Sequence, residues 1–173
     1  MPTILDPALG PDDHVAGDPG APLELVMYGD FECPYCAAAQ SILARVRTRL
    51  GADLRFAFRH LPLESVHPHA LRAAQAAEAA AAQDAFWPMH DALYAARGAL
   101  TDDDLVAHAR ELGLHADRVA AELASGTHAE RVERDAASAQ ALGLTSTPAF
   151  FVNGKLHTDA YDAGSLVDAL RGS

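Results

Sequence analysis

Only two cysteines occur in the 173-residue chain, Cys33 and Cys36, with Pro34 and Tyr35 between them. Sulfurs three positions apart on a helix lie one turn from each other. Such a pair can open and close a disulfide, supply half of a metal site, or do neither. A structural staple is excluded, because a bridge confined to this segment closes too small a loop to hold a fold together. A metal would need a second pair of ligands. His60, His67, His69 and His90 are the nearby candidates, but they sit in other segments without finger-like spacing, and packing or solvation is their default role. Redox chemistry fits the local context best.

That context is a strand followed by a helix. Leu23-Glu24-Leu25-Val26-Met27-Tyr28 reads as a buried central strand, which Gly29 and Asp30 end. From Cys33 to Leu50 the period becomes helical, with Ala39, Leu43, Val46 and Leu50 forming one apolar stripe and Gly51 stopping it. Cys33 therefore stands at a helix N-terminus, where unpaired N–H groups and the helix dipole favour negative charge. A free thiol titrates near ~8.5, and this placement lowers it to roughly 3.5–7.5, so Cys33 is the expected nucleophile. Cys36 is placed to attack a mixed disulfide formed at Cys33 and release the bound thiol. Pro34 loses no hydrogen bond at an early helical position.

Further along, Leu54-Arg55-Phe56-Ala57-Phe58-Arg59-His60 alternates as a strand does, and strand, helix, strand over this length predicts a parallel βαβ unit. Residues 65–143 hold no strand-like run and 25 of the 38 alanines. Helices are expected after His67-Pro68, near Phe86-Trp87, after Thr101, near Ala116 and near Thr127. Thr101 followed by Asp102, Asp103 and Asp104 is helix-start chemistry rather than a metal site. Phe86, Trp87, Leu93 and Tyr94 are expected to pack this block onto itself. Strand character returns at Ala149-Phe150-Phe151-Val152, Asn153-Gly154 signals a tight hairpin into Lys155-Leu156-His157-Thr158, and a last helix covers roughly Ala163 to Leu170. The expected architecture is α/β, a central mixed sheet flanked by helices.

The first 22 residues carry five prolines and no basic residue, and read as an extended, weakly ordered N-terminal arm. Asp and Glu total 24 against 13 Lys and Arg, a net charge of -11, which disfavours a nucleic acid partner. No run approaches the roughly 20 apolar residues of a membrane span, and Met1-Pro2-Thr3-Ile4-Leu5-Asp6 lacks the features of an export signal. The expectation is a cytoplasmic protein with no membrane partner. Arg45, Arg47, Arg49, Arg55 and Arg59 cluster in sequence; a solvated helix face is the favoured reading, and an anion site for the carboxylates of glutathione the alternative.

Four segments together resemble the DsbA-like thiol-disulfide oxidoreductases of the thioredoxin superfamily. They are Phe31-Glu32-Cys33-Pro34-Tyr35-Cys36; Phe58-Arg59-His60-Leu61-Pro62-Leu63 with His67-Pro68-His69-Ala70; Phe86-Trp87-Pro88-Met89-His90-Asp91; and Thr147-Pro148-Ala149-Phe150-Phe151-Val152-Asn153-Gly154. A similar domain is fused to some bacterial sodium/proton antiporters. The resemblance implies a thioredoxin-like core from residues 23–64 and 144–173, with 65–143 as an inserted helical subdomain over the substrate groove. It also implies a cis Thr147-Pro148 bond, with Thr147 and Pro148 packing against the cysteine pair and offering Thr147 backbone to an extended substrate. Pro34 and Tyr35 tune the redox potential.

The chain departs from the family pattern at two positions. Met27 stands where members often bury an acid that relays a proton to the resolving thiol, which leaves water, Glu24, Asp30 or Glu32 for that task. Tyr35 stands where strongly oxidising members have histidine, and implies a less oxidising couple.

The resulting expectation is a monomeric enzyme that exchanges a Cys33–Cys36 disulfide with protein thiols, has no bound cofactor, and is recycled by an external thiol or reductase. The rivals are a glutathione-dependent glutaredoxin- or transferase-like enzyme, and a non-catalytic metal-binding or redox-sensing module built on the cysteines and nearby histidines.

Overall fold

A computed structural model describes residues 1–172. Its centre is the βαβ unit: β2 (Leu23–Gly29), α1 (Pro34–Leu50) and β3 (Leu54–His60), the two strands pairing in parallel from Leu23↔Leu54 to Gly29↔His60. The anticipated helical stripe faces inward, with Ala39, Leu43, Val46 and Leu50 all buried. Gly51 ends α1 at a positive φ of 52° that a side chain would resist.

Five helices follow: α2 (Ala70–Ala81), α3 (Phe86–Ala95), α4 (Asp102–Glu111), α5 (Ala116–Ser125) and α6 (Ala129–Ala141). Their starts match the expected punctuation. At α4 the Thr101 hydroxyl accepts the Asp104 N–H and the Asp104 carboxylate accepts the Thr101 N–H, closing a capping box. Nine of the twelve residues of α2 are buried, seven of them alanine, and α2 packs on α3, α4, α5 and α6. Short side chains on its whole circumference let four helices approach it, while alanine also favours the helix itself.

The chain then returns to the sheet through β4 (Ala149–Val152) and β5 (Lys155–Leu156) and ends in α7 (Ala163–Gly172). With β1 at His14–Ala16, strand order is β1-β3-β2-β4-β5, with β4 antiparallel to β2. Asn153 and Gly154 both adopt positive φ, as the two-residue hairpin requires. Leu25, Met27, Phe56, Phe58, Phe150 and Val152 pack with α1 and α7 in the larger core; Val26, Tyr28, Ala57 and Phe151 pack with Leu5 and Ala139 in the other. Helices thus cover both faces. Among the described residues no helix is long and apolar enough to cross a membrane.

The arm differs from its expected state. β1 (His14–Ala16) pairs antiparallel with β3, Ile4 bridges to Lys155, and Leu5 is buried with its N–H 2.8 Å from the Gly154 carbonyl. Proline-rich composition described the arm's local preference, but two needs of the core override it. The outer edge of β3 lacks a strand partner without it, and Arg59 lacks an anion. Arg59 is 2% exposed and not on a solvated face; it donates to the Asp13 carboxylate and to the carbonyls of Pro7 and Ala8.

Candidate active site

The cysteine pair sits where β2 hands over to α1. Cys33 is the N-cap of α1 in an extended conformation, and Cys36 lies on its first turn. Asp30 sets the loop between them and the sheet. One oxygen of its carboxylate accepts the N–H of Glu32 (2.7 Å) and of Cys33 (3.2 Å); the other accepts the N–H of Leu63 (2.9 Å) and pairs with His67 Nδ1 (2.8 Å). The Glu32 carboxylate accepts the His69 N–H at 2.6 Å. His67 and His69, considered above as metal partners, instead tie the loop after β3 to the cysteine loop. Sequence reading placed Asp30 beside the pair but missed that one buried carboxylate organises two loops, since Leu63 and His67 lie more than thirty residues away.

The opposite wall comes from the turn before β4. The Thr147–Pro148 bond is cis, and the Thr147 carbonyl lies 3.7 Å from Cys33 Sγ, within reach of the proton when Cys33 is a neutral thiol. Thr147 is itself nearly buried, and its hydroxyl has no hydrogen-bond partner among the described residues. Tyr35 is 68% exposed beside the pair, and Val66, in the loop pinned by Asp30, is 65% exposed. These are two of only four large apolar side chains exposed among the described residues, one between the cysteines in sequence and one in the loop that Asp30 ties to them.

The two thiols are electrostatically split. The hydrogen bond from the Cys36 thiol, the largest influence, holds Cys33 down to about 5; burial opposes it, and Thr147 and the N–H groups of Cys36 and Tyr35 assist. Cys36 is pushed far above the ordinary thiol range, first by that same hydrogen bond and then by burial. One sulfur is therefore a thiolate at neutral pH and its neighbour a proton-holding thiol. Cys33 keeps 4% exposure and Cys36 none, so of the two sulfurs only Cys33 is open to a group from outside. Because Cys36 supplies the largest lowering influence, Cys36→Ala is expected to move the ultraviolet thiolate titration of Cys33 from near pH 5 up toward the ordinary ~8.5. A titration left in place would assign the low value to the helix terminus alone.

Tyr94 is a further residue that sequence reading placed elsewhere. It was expected to pack the helical block on itself, yet its ring lies 4.9 Å from Phe31 and 6.3 Å from Phe58, joining the block to the sheet. Its buried hydroxyl would lie 2.9 Å from a Cβ added at Gly29 and has no hydrogen bond of good geometry. Burial, and next the Cys36 sulfur beside it, raise its pKa well above the ordinary tyrosine value. It is thus a protonated donor next to the Cys36 thiol, on the side where Met27 supplies no acid.

The arginine cluster does not converge. Arg55 pairs with Glu24 at 2.6 Å, Arg59 with Asp13 at 2.8 Å, and Arg47 faces a cavity between α1 and α3 together with Gln40, Asp91 and Arg97. His90 is buried among Phe31, Phe58 and Trp87 with Nδ1 on Asp91, and burial holds it neutral. Neither it nor His60 lies with the cysteines in any candidate ligand group among the described residues.

A helix-capping Cys33, a buried Cys36 on the first turn and a facing Thr147-Pro148 turn on this sheet order agree with a thioredoxin family model that matches residues 10–171. The chain belongs to the thioredoxin family. Among solved structures, BdbD from Bacillus subtilis superposes with a TM-score of 0.84 at 24% identity, covering 91% of this chain and 90% of that one. A thioredoxin-like oxidoreductase from Silicibacter pomeroyi gives 0.83 at 26% identity, covering 94% and 92%. Alpha-DsbA1 from Wolbachia pipientis gives 0.78 at 20% identity over 95% and 93%. The fold is therefore the DsbA-like elaboration of thioredoxin, with α2–α6 between β3 and β4. In sequence, the chain is 45% identical over its whole length to a Na(+)/H(+) antiporter NhaA of Herminiimonas arsenicoxydans and 43% identical over 97% of its length to one of Mycobacterium sp. strain KMS. It spans only 28% of either antiporter, as expected for the thioredoxin-like domain fused to such transporters.

Proposed function

We propose that this thioredoxin-family chain is a thiol-disulfide oxidoreductase acting on protein substrates through the Cys33–Cys36 pair. The observation that carries the reading is the split pair: a Cys33 thiol held to about 5 beside a Cys36 thiol held high, under the Thr147 carbonyl. In the reducing direction the Cys33 thiolate attacks one sulfur of a substrate disulfide. A Cys33–substrate bond forms and the substrate's second sulfur departs as thiolate. Cys36 then gives its proton to that thiolate or to water and attacks Cys33 Sγ, forming the Cys33–Cys36 disulfide and releasing the first substrate sulfur as thiolate. Two electrons pass from the protein to the substrate, and the oxidising direction reverses each step. The Tyr94 hydroxyl supports the Cys36 thiolate that must appear in the second step. Thr147 offers its main chain to an extended segment, and Tyr35 with Val66 offers it apolar contact. The enzyme works as a monomer with no bound cofactor. In a cytosolic thiol pool its resting form is the dithiol, regenerated by an external thiol or reductase.

The Cys33 value fixes an expected redox poise. Stabilising the thiolate favours the reduced protein; this contribution is complete above the ordinary thiol value and is lost as pH falls through about 5. A thiolate between the ~7 of thioredoxin and the ~3.5 of DsbA should give a potential between about -270 and -120 mV. Equilibration with glutathione redox buffers measures it, and insulin reduction with dithiothreitol measures turnover. A protein that reduces insulin no faster than dithiothreitol alone would remove the proposal. Turnover supported by glutathione and not by a dithiol would favour the glutaredoxin-like alternative.

A further inference from the structure

Away from the sulfurs, three side chains from three separate elements meet at one point. His14 Nε2 from β1 lies 2.7 Å from Glu78 Oε1 of α2, and His60 Nε2 from the end of β3 lies 2.8 Å from the same oxygen. All three ligand atoms fall within 4.8 Å of one another. The side chains of His60 and Glu78 are 1% and 6% exposed, and that of His14 is 16% exposed, on the solvent side of the group.

Two features make this more than a buried ion pair. The first is burial: one carboxylate oxygen of Glu78 sits against two imidazole nitrogens, at 2.7 and 2.8 Å, in a pocket nearly closed to water. Arg131, a guanidinium that feels the Glu78 charge, pairs with Asp135 at 2.8 Å and donates to the Asp12 carbonyl at 3.0 Å, and Asp135 in turn accepts the His60 N–H at 3.0 Å. The second is donor type and orientation. Both imidazoles turn the same nitrogen, Nε2, toward a common centre, and the rings are fixed from behind: His14 stacks on Phe86 at 3.6 Å and 4°, and His60 stands edge-on to Phe58 at 5.5 Å.

We propose that His14, His60 and Glu78 form a binding site for a zinc-class divalent cation that fastens the N-terminal arm to the sheet and to α2. Two imidazole nitrogens and one carboxylate oxygen suit Zn²⁺ and its neighbours, whereas Ca²⁺ and Mg²⁺ prefer all-oxygen shells. Ligands bound at ~2.0–2.1 Å in a tetrahedron stand ~3.3 Å apart. The two separations from Glu78 Oε1 must therefore open by about half an ångström, which His14 on its edge strand can supply. A water on the exposed side completes four-coordination. The site does not depend on the thiol chemistry.

The test uses the full chain carrying Cys33→Ser and Cys36→Ser, so that no thiol competes for metal. Titration with Zn²⁺ is expected to reach one equivalent per chain and to raise Tm, and Co²⁺ is expected to develop the visible bands of a low-coordinate complex. His14→Gln keeps a donor to Glu78, and with it the docked arm, but removes the imidazole; it should weaken Zn²⁺ binding by ~10-fold or more. Glu78→Gln should do the same, and if it fails to fold His14→Gln decides alone. Substoichiometric Zn²⁺, no cobalt bands, or equal affinity in His14→Gln would each overturn the site and leave a hydrogen-bonded latch. Loss of insulin reductase activity, by contrast, bears only on the cysteines.

Discussion

Replacing Cys33 with serine is expected to lower the protein's contribution to insulin reduction at least ~10³-fold, to the rate of dithiothreitol alone. A serine hydroxyl at the N-cap of α1 keeps the helix start but cannot form the S–S bond on which every later step depends. Cys36→Ser separates the two sulfurs' roles. Cys33 remains able to attack, so a mixed disulfide with substrate should accumulate, visible on a non-reducing gel and removed by excess dithiothreitol. In Cys36→Ala, which also removes the hydrogen bond that is the main influence holding Cys33 near 5, that attack should slow most at pH values below the shifted titration. Equal activity in wild type and Cys33→Ser would mean that the pair is not the reactive group. A trapped adduct in Cys33→Ser but not in Cys36→Ser would reverse the assignment.

The largest expected loss of stability comes from Arg59→Leu. Arg59 sits in the sheet with a side chain 3% exposed and makes five hydrogen bonds: two to Asp13, one each to the carbonyls of Pro7 and Ala8, and one to the Tyr28 hydroxyl. Leucine fills much of the volume but leaves Asp13 as an unpaired carboxylate, 10% exposed, against an apolar neighbour. Removing one partner of a buried pair costs about 3–5 kcal/mol, which urea unfolding measures. Local protection should fall with it, because β1 loses its anchor, and amide exchange across 14–16 should accelerate more than exchange across β2. The pH dependence gives a third readout. Asp13 is raised by burial but lowered further by Arg59, so its contribution is present above the ordinary carboxylate value and lost as pH falls below it. In Arg59→Leu that acid limb should flatten. A loss under ~1 kcal/mol with β1 protection intact would show that the arm is held by its strand pairing alone.

What was legible in the sequence shares one property: it was written in local periodicity. The stripe on α1, the alternation of β3, the Thr101 cap and the Asn153-Gly154 turn each depend on residues within a few positions, and each took its expected form. The cysteine motif was legible for the same reason, since three residues of helix suffice to place both sulfurs. The arm was misread because its proline-rich composition describes only what it would do without partners. Arg59 was misread because strand alternation assigns a face, and here both faces of β3 are covered.

The sequence by itself therefore determined the groups on offer: one thiol at a helix start, a second a turn below, and a Thr147-Pro148 turn marked out by resemblance. The tertiary structure decided how that chemistry is tuned and held. Thr147 reaches Cys33 across 114 residues, Asp30 gathers Leu63 and His67 from more than thirty away, and His14 meets Glu78 across 64. Such contacts leave no period in the chain, because a strand edge, a buried charge or a desolvated thiol acquires its need for a partner only after the sheet and helices have removed it from water.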